Sequence, residues 1–378
     1  MKIKYCKRCL QPNTKPNEKI WINDVCTSCI NHANNQKIDY SERFMDLKDL
    51  LSEAERNKKK GQLYDCIIGV SGGKDSTRQA LWVKNKLGLK PLLVSLTYPP
   101  EQVSNTGCDN LSNLIELGFE TVISGPSPGT WKKLMRAAFL KYANWARATE
   151  IALYSSVPKT AIAEGINLIF IGENQSLRDQ NTIGMKPWEY DDMEMQNTLN
   201  GGDIQWMKDE GLEEKDLIPY QYPEKEILKE RKIKIIDLGW FIGDWDNERN
   251  GMVGCMNGIK IRKDAPENTG DIEGISALDE DWVTLNQMIK YYKLGYGKVT
   301  DYVNEYIREG KITRSEGIYL VEKYDGKCSD QYIESFCKYI EISEDKFWEV
   351  VREHVNKDLF KINADGSIDK LFEVGRNV

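Results

Sequence analysis

The sequence has no long apolar run and no excess of basic residues. No segment approaches the ~18 consecutive apolar residues that a membrane-spanning helix needs, and Met1–Cys6 lacks the apolar stretch of a secretory signal. The formal net charge is −7, whereas proteins that bind phosphate backbones usually carry a basic face. These absences predict a cytoplasmic protein that acts on small molecules, without membrane contact and with nucleic acid disfavoured as a partner.

Histidine is scarce, whereas cysteine is not. The 378 residues include two histidines, His32 and His354, and nine cysteines. In a cytoplasmic protein, cysteines favour metal or thiol chemistry over disulfides. His354 shares one face of the last predicted helix with Phe347 and Val350, so we expect a core or edge residue there and not a catalyst.

Four cysteines near the amino terminus form two pairs with the spacing of a zinc ribbon. They are Cys6-x2-Cys9 and Cys26-x2-Cys29. Each pair makes a knuckle that directs two sulfurs at one ion, and two knuckles complete a closed site that stabilises a segment too short for its own core. We predict structural Zn²⁺; an iron–sulfur cluster, a redox dithiol pair and a chance pattern are the alternatives. His32 could replace one ligand, but four thiols suffice.

The hydrophobic pattern divides the chain into four regions. They are a zinc ribbon (1–40), a charged linker helix (41–62), an α/β domain (63–250) and a helical domain (251–378). In the α/β domain, short β-branched runs alternate with helical segments, which predicts a parallel sheet covered by helices on both faces. Residues 184–222, rich in Met, Trp and acidic residues, interrupt this alternation and predict a loop insertion.

The most informative segment joins an apolar strand, residues 66–70, to the helix that follows. Its residues are Ser71, Gly72, Gly73, Lys74, Asp75 and Ser76. Unpaired amides at a helix start bind anions, the glycines let the backbone wrap a phosphate, and the serines and Lys74 add donors. Asp75 would repel phosphates unless it caps the helix or holds Mg²⁺. A tight turn without function is the alternative, since neither a Walker loop nor a G-x-G-x-x-G pattern is present.

This string resembles the SGGxDS signature of the PP-loop ATP pyrophosphatases, and it lies after the first strand of the α/β domain, where that class carries it. The resemblance implies an adenine nucleotide alpha hydrolase-like domain that splits ATP between the α and β phosphates. Residues 71–76 would bind the nucleotide. Lys74 and Asp75 would act in catalysis, where the loop stabilises the charge that gathers on the departing pyrophosphate.

Three further segments narrow the resemblance to the N-acetyl sugar amidotransferase family. They are Ile171-Gly172-Glu173-Asn174, the segment from Asn105 to Ile115, and the stretch from Lys293 to Glu316. Together with the thiol knuckles, these segments are spread along the sequence, and the resemblance covers nearly the whole chain. The resemblance implies an enzyme of lipopolysaccharide or of pseudaminic and legionaminic acid pathways. Such an enzyme converts an acetamido group of a sugar into an acetamidino group, with ATP and Mg²⁺ as cofactors.

Glu173 and Asn174 follow the strand at 168–171, at the carboxyl edge where open α/β sheets bind ligands. Glu173 would position ammonia or hold a metal ion, and Asn174 would bind the sugar amide or the ribose. A polar cap of the strand end is the alternative. The aromatic residues of the insertion, among them Trp188 and Trp206, would either stack on a sugar or belong to a surface loop.

The role of the C-terminal motif stays open. Tyr302 follows Asp301, at a place where the family often has a histidine. The stretch 293–316 is equally typical of a helix–turn–helix packing unit, in which Thr313 and Glu316 form a capping box. Both a ligand role and a packing role are therefore compatible with the motif.

The source of nitrogen is a further prediction. A glutaminase needs a cysteine paired with a histidine, or an N-terminal cysteine. Neither pattern occurs around His32, His354 or Met1. The family resemblance implies that a separate glutaminase/cyclase-like partner delivers ammonia to the N-acetyl sugar substrate; free ammonia is the alternative.

Two other functions are compatible with the loop and the thiol knuckles. One is a PP-loop enzyme that thiolates or aminates a transfer RNA base. Against it stand the net charge of −7 and the lack of a concentrated basic patch with aromatic residues. The other is an ATP-binding regulator without turnover.

Overall fold

The amino-terminal residues form a two-stranded unit followed by two helices. The computed structural model of the protein describes residues 3–16, 21–35, 38–172 and 203–377. The first elements are β1 (Trp21–Ile22), β2 (Val25–Cys26), α1 (Thr27–Asn35) and α2 (Tyr40–Arg56). The prediction that the second helix continues to residue 62 is wrong. The chain leaves the helix after Asn57, and Lys58 then pairs with Asp65 at 2.5 Å, next to the first strand of the sheet.

Short apolar segments pair in parallel to form the central sheet of the described chain. They are β3 (Cys66–Gly69), β4 (Pro91–Leu96), β5 (Glu120–Ser124), β6 (Leu168–Ile171) and β7 (Lys234–Asp237). Their order across the sheet is β5-β4-β3-β6-β7, with Ile67 opposite Leu92 on one side and Ile169 on the other. The chain runs outward from β3 to β5 and then crosses back to β6. The switch point, where such sheets bind ligands, therefore lies between β3 and β6.

Helices cover both faces of this sheet. The helices between the strands are α3 (Lys74–Leu87), α4 (Asn105–Glu116), α5 (Pro128–Tyr142) and α6 (Ala146–Glu164). Ile68 packs with Ala80 of α3 and Leu114 of α4. Its neighbour Ile67 points to the opposite face and packs with Ala161 of α6. The predicted class, an α/β domain with a parallel sheet, is confirmed.

Short helical segments precede and follow the last strand of the sheet along the chain. They are α7 (Gln205–Asp209), a 3₁₀ turn (Glu214–Tyr220), α8 (Lys225–Glu230), a second 3₁₀ turn (Leu238–Trp240), α9 (Asn247–Met256) and α10 (Pro266–Thr269). Of these, α9 matters for the site because it packs against α3, the helix that begins at the glycine-rich loop. Nowhere in the described ranges is a helix long and apolar enough to cross a bilayer.

The carboxyl-terminal region is helical, as predicted, and ends in a hairpin. Its elements are α11 (Val283–Leu294), α12 (Lys298–Arg308), α13 (Arg314–Tyr324), α14 (Asp330–Ile340), α15 (Glu344–His354), β8 (Phe360–Ile362) and β9 (Ile368–Lys370). His354 is half-buried at the end of α15, which agrees with the predicted core or edge position.

One apolar core joins the carboxyl-terminal helices to α5 and α6. Phe139 of α5 stacks on Phe347 of α15 with ring centroids 5.1 Å apart. Phe139 also meets Phe336 of α14 edge to face at 5.3 Å, and Trp282 meets Phe336 at 5.5 Å. Because these rings are buried together, the carboxyl-terminal helices hold a fixed position relative to the sheet and to the loop at its edge.

Candidate active site

The loop after β3 has the backbone of an anion site. Gly72 adopts φ = +78°, and a Cβ atom there would come within 3.0 Å of the Asn110 and Leu111 backbone. A residue with a side chain would therefore be strained and would clash. Gly73 caps α3 without a side chain, so that no side-chain oxygen of the cap residue competes for the first-turn amides. Amides in this arrangement, at the positive end of a helix, favour a phosphate group.

The charged residues of the loop belong to a hydrogen-bond network that reaches α9. Lys74 is 5% exposed, and its Nζ lies 2.6 Å from Asp75 Oδ2. Asn250 of α9 donates from Nδ2 to Asp75 Oδ1 at 2.5 Å and accepts at Oδ1 from Arg78 at 2.5 Å. Arg78 also pairs with Asp244 at 2.5 Å. Asp75 is therefore oriented by a cation and an amide, which would reduce its repulsion of a phosphate bound at the loop.

The end of β6 lies against this loop. A Cβ atom at Gly172 would come within 3.0 Å of Gln79 Oε1 and 3.5 Å of the Asp75 carbonyl oxygen. Glu173 and Asn174, which follow Gly172 in the sequence, lie outside the described residues, and their roles stay predictions. The same holds for Trp188.

Trp206, an aromatic residue of the predicted insertion that could stack on a sugar, lies in the part of the chain that the structure describes. Trp206 is 5% exposed and packs edge to face on Tyr142 of α5 with ring centroids 5.7 Å apart. A buried ring in this contact has no free face for a sugar, so the predicted stacking role is wrong for Trp206.

A pair of residues that the sequence does not reveal lies beyond the end of β4. Tyr98 donates its hydroxyl hydrogen to Asp279 Oδ2 at 3.0 Å, and burial raises the pKa of both groups. The backbone of Asp279 also accepts from Ser104 N at 3.0 Å. A Cβ atom at Gly107 would come within 2.5 Å of Asp279 Cα. Gly107 belongs to the predicted segment that starts at Asn105. Its lack of a side chain therefore allows α4 to pack closely against Asp279, a distant part of the chain.

A second missed group is Glu273, whose carboxyl interacts electrostatically with Lys74. Tyr306 of α12 donates its hydroxyl hydrogen to Glu273 Oε1, while the other carboxylate oxygen, Oε2, has no hydrogen-bond partner in the described ranges. Burial raises the pKa of Glu273 to about 7; the Tyr306 hydrogen bond opposes the shift, Glu305 adds to it and Lys74 opposes it. No motif in the sequence links Glu273 to the loop, because only the fold brings the two together.

The four predicted metal ligands converge on one point. The sulfurs of Cys6, Cys9, Cys26 and Cys29 all lie within 4.8 Å of one another, with Cys6–Cys29 at 3.9 Å and Cys9–Cys26 at 3.7 Å. Sulfurs at the corners of a tetrahedron around Zn²⁺, each about 2.3 Å from the ion, lie about 3.8 Å apart. The four thiols, at most 1% exposed, therefore form a site that could bind a metal ion.

The surroundings of the thiols suit a negatively charged sulfur cluster. Backbone amides of Arg8 and Cys26 donate to Cys6 Sγ at 3.4 and 3.3 Å. Burial would lower the pKa of Arg308, but Cys9, Cys29 and Cys26 raise it, because the guanidinium of this α12 residue lies close to their sulfurs. Amides and a cation lower the cost of burying thiolates.

Comparison with known proteins identifies the carboxyl-terminal part of the chain. Residues 278–373 match the family model of the C-terminal domain of WbpG-like lipopolysaccharide biosynthesis proteins. The chain carries a WbpG-like domain. This match supports, for that part of the chain, the family resemblance recognised from the sequence motifs. No curated protein sequence matches the chain.

A solved structure with some similarity is the U34-tRNA thiolase NcsA from Methanococcus maripaludis with its 4Fe-4S cluster. It is 14% identical to this chain, and the alignment covers 89% of this chain and 95% of that chain with a TM-score of 0.26. At this TM-score, the likeness carries no conclusion about the fold, the reaction or the metal of this chain.

Within the WbpG-like domain, parts of the 293–316 motif have packing roles. Thr313 and Glu316 form the predicted capping box at the start of α13. Tyr302, which stands where the family often has a histidine, is 1% exposed. These residues support the helix–turn–helix interpretation of the motif.

A buried carboxylate fixes the start of α12 in the same domain. Asp325 accepts hydrogen bonds from Gly297 N at 2.7 Å, Val299 N at 3.0 Å and Thr300 Oγ1 at 2.6 Å. A carboxylate with three donors is a strong N-terminal cap. The first turn of α12, where Lys298 lies, is therefore held in place by an acid from the end of α13.

Proposed function

We propose that the protein is an ATP-dependent amidotransferase. It adenylates the acetamido oxygen of an N-acetyl sugar and replaces that oxygen with ammonia, giving an acetamidino sugar, AMP and pyrophosphate. The observation that carries the proposal is the occurrence, in one chain, of an SGGKDS loop at the switch point of a parallel sheet and a WbpG-like lipopolysaccharide domain. The product would enter a surface glycan, either lipopolysaccharide or a pseudaminic or legionaminic acid.

The loop suits the first step of this reaction. The amide oxygen attacks the α-phosphorus of ATP, and the bond from that phosphorus to the bridging oxygen breaks, so that charge accumulates on pyrophosphate. First-turn amides of α3 and the Lys74 ammonium would stabilise this charge. Asp75 keeps Lys74 in place, and it is the one carboxylate of residues 71–76 that could hold Mg²⁺ on the nucleotide.

The second step forms the carbon–nitrogen bond. Ammonia attacks the activated carbon, AMP leaves with the former amide oxygen, and the nitrogen loses a proton to give the amidine. An amide oxygen is a poor leaving group, whereas AMP is a good one, which is why ATP is consumed. The product is a cation where the substrate was neutral, so the reaction changes the charge that the glycan presents.

The ammonia donor and the metal belong to the same proposal. We infer that a separate glutaminase/cyclase-like partner supplies ammonia, because the two histidines of the chain lie in no recognisable glutaminase pattern. We assign Zn²⁺ to Cys6, Cys9, Cys26 and Cys29, because the spacing of their sulfurs fits a single tetrahedral ion. A closed four-thiolate site supplies structure and no reactive position.

The test is a pyrophosphate-release assay with ATP, Mg²⁺ and ammonium against a set of acetamido sugars, followed by mass spectrometry of the sugar. The proposal expects AMP, pyrophosphate and a sugar in which O has been replaced by NH, all of which disappear in Asp75→Ala. Pyrophosphate release that requires transfer RNA would instead support a base-modifying enzyme. Tight ATP binding without turnover, even with a glutaminase partner present, would support a regulator.

A further inference from the structure

A buried amide of α9 lies between two charged side chains at the start of α3. Asn250 is 1% exposed. Its Nδ2 donates to Asp75 Oδ1 at 2.5 Å, and its Oδ1 accepts from Arg78 at 2.5 Å. Asp75 and Arg78 are three positions apart and therefore lie on one face of α3. A single side chain from a distant part of the chain thus contacts both charges.

The chemistry of the two partners fixes the orientation of this amide. A guanidinium has only donors, so it must face the oxygen of Asn250, and an ionised carboxylate has only acceptors, so it must face the nitrogen. Aspartate at position 250 would set a second carboxylate against Asp75. An aliphatic side chain there would leave both charged groups short of a buried partner. Asparagine is therefore suited to serve Asp75 and Arg78 at once.

The helix that carries Asn250 is held on two sides. Near its start, Asn247 donates from Nδ2 to Glu305 of α12 at 2.6 Å. One turn after Asn250, a Cβ atom at Gly254 would lie 3.5 Å from Lys74 Cα, so the backbone of α9 approaches the start of α3 closely. Because these contacts fix α9, the amide of Asn250 loses little entropy when it orders Asp75.

The cation at the other end of Asn250 is equally fixed. Arg78 is 5% exposed and donates to the Asp244 carbonyl oxygen at 2.7 Å and to its carboxylate at 2.5 Å. Its guanidinium carbon lies 5.1 Å from the centroid of the Trp245 ring. Asn250 cannot turn without losing a charge-assisted hydrogen bond to this cation. The donor nitrogen of Asn250 is therefore kept directed at Asp75.

The two oxygens of Asp75 have different surroundings. Oδ1 accepts from the buried Asn250, whereas Oδ2 lies 2.6 Å from Lys74 Nζ. The Asp75 side chain is 35% exposed, so a ligand at the loop can reach it. A phosphate bound by the amides of the loop would attract the Lys74 ammonium away from Oδ2. Asn250 would then still hold Oδ1.

We propose that Asn250 is a positioning residue of the nucleotide site. It holds the Asp75 carboxylate in place while Lys74 turns to the phosphates, so that Oδ2 can bind the Mg²⁺ that accompanies ATP. This inference rests on the proposed use of ATP and adds to it a residue that acts through Asp75. It also gives a role in the reaction to α9, which none of the sequence motifs includes.

Calorimetric titration of the full chain with ATP, with and without added Mg²⁺, tests this role. In the wild type, Mg²⁺ should tighten the binding of ATP. Asn250→Leu keeps the approximate size of the side chain but removes the donor to Asp75, so the gain in affinity that Mg²⁺ gives should shrink roughly ten-fold. The affinity for ATP without Mg²⁺ should change much less. Asn250→Ala should behave in the same way and replaces Asn250→Leu if the larger apolar side chain prevents folding.

The matched control is Asp244→Asn, which removes the charge that pairs with Arg78 but leaves Asn250 in place. Mg²⁺ should tighten its binding of ATP as in the wild type. If Asn250 only holds α9 on α3, its variants should bind ATP more weakly by the same factor with and without Mg²⁺. That result would overturn the inference and leave the proposed function intact, as would a wild type that binds ATP equally with and without Mg²⁺. A wild type that does not bind ATP would instead overturn the proposed function.

Discussion

The thiol cluster and the phosphate loop differ in how completely their groups are enclosed. The four thiols are at most 1% exposed and face one another. In the loop, Lys74 is buried, but Ser71, Gly73 and Ser76 are partly exposed. A closed site can hold an ion but cannot admit a substrate, whereas an open one can. This difference in enclosure agrees with the proposed roles, folding for the cluster and chemistry for the loop, and each role can be tested separately.

The largest effect is expected at the thiol cluster. Cys26→Ala removes one of the four proposed ligands, so the chain should lose the proposed zinc and melt about 10 °C lower or more. Metal content by mass spectrometry and thermal denaturation measure both changes. Cys255→Ala, which removes an exposed and isolated thiol, is the matched control and should keep its metal. A Cys26→Ala chain that retains zinc would show that the other three thiols bind it without Cys26.

The next effect is expected in the loop, on activity and not on metal content. Asp75→Ala frees the Lys74 ammonium and the Asn250 amide, so we expect pyrophosphate release to fall roughly 10²–10³-fold. Zinc content should not change. Asp109→Ala removes a surface carboxylate paired with Lys260 and should leave the rate within a factor of two or so. Equal rates in Asp75→Ala and the wild type would contradict a catalytic role for the loop.

A smaller effect is expected where the WbpG-like domain holds α12. In Asp325→Asn, the amide can no longer accept from all three donors at the start of the helix, so unfolding should become easier by about 2 kcal/mol. Urea denaturation measures this change. The control is Asp330→Asn, at the exposed first turn of α14. Its free energy of unfolding should lie within a few tenths of a kcal/mol of the wild-type value. Equal losses in both variants would mean that Asp325 is not a specific cap.

The local structures that the sequence predicts correctly are contiguous or nearly so in the chain. The glycine turn between strand and helix at residues 71–76 is contiguous, and Thr313 and Glu316 of the capping box are three positions apart, so both patterns are visible without a fold. The predicted end of α2 at residue 62 is wrong, because the helix ends at Arg56 and Lys58 lies beyond it in a pair with Asp65 that helical periodicity does not reveal.

The missed parts of the site depend on contacts between distant segments. Glu273 is bound by Tyr306 of α12, which is 33 positions away in the sequence, and Tyr98 meets Asp279 across the boundary of the WbpG-like domain. No spacing rule relates such residues. The predicted roles of Glu173 and Asn174 lie outside the described residues and are neither confirmed nor wrong.

The smallest effect concerns the pH dependence of stability, through Glu273. Its pKa rises from 4.5 to about 7 on folding, so the folded chain binds more protons than the unfolded chain between these values. The contribution of Glu273 to the free energy of unfolding is therefore fully present below about pH 4.5. It is lost as the pH rises through about 7. Because the carboxyl is partly exposed, the loss should be only about 1–2 kcal/mol.

Glu273→Gln separates this contribution from the rest of the molecule. Glutamine keeps an oxygen for the Tyr306 hydroxyl but cannot ionise, so the variant should be more stable than the wild type at pH 8 and similar to it at pH 4.5. Urea midpoints across this range measure the difference, and Glu349→Gln, an exposed carboxylate paired with Lys346, should follow the wild type. If Glu273→Gln loses stability equally at both pH values, the Tyr306 hydrogen bond needs a carboxyl group, and burial of the charge is not what limits stability there.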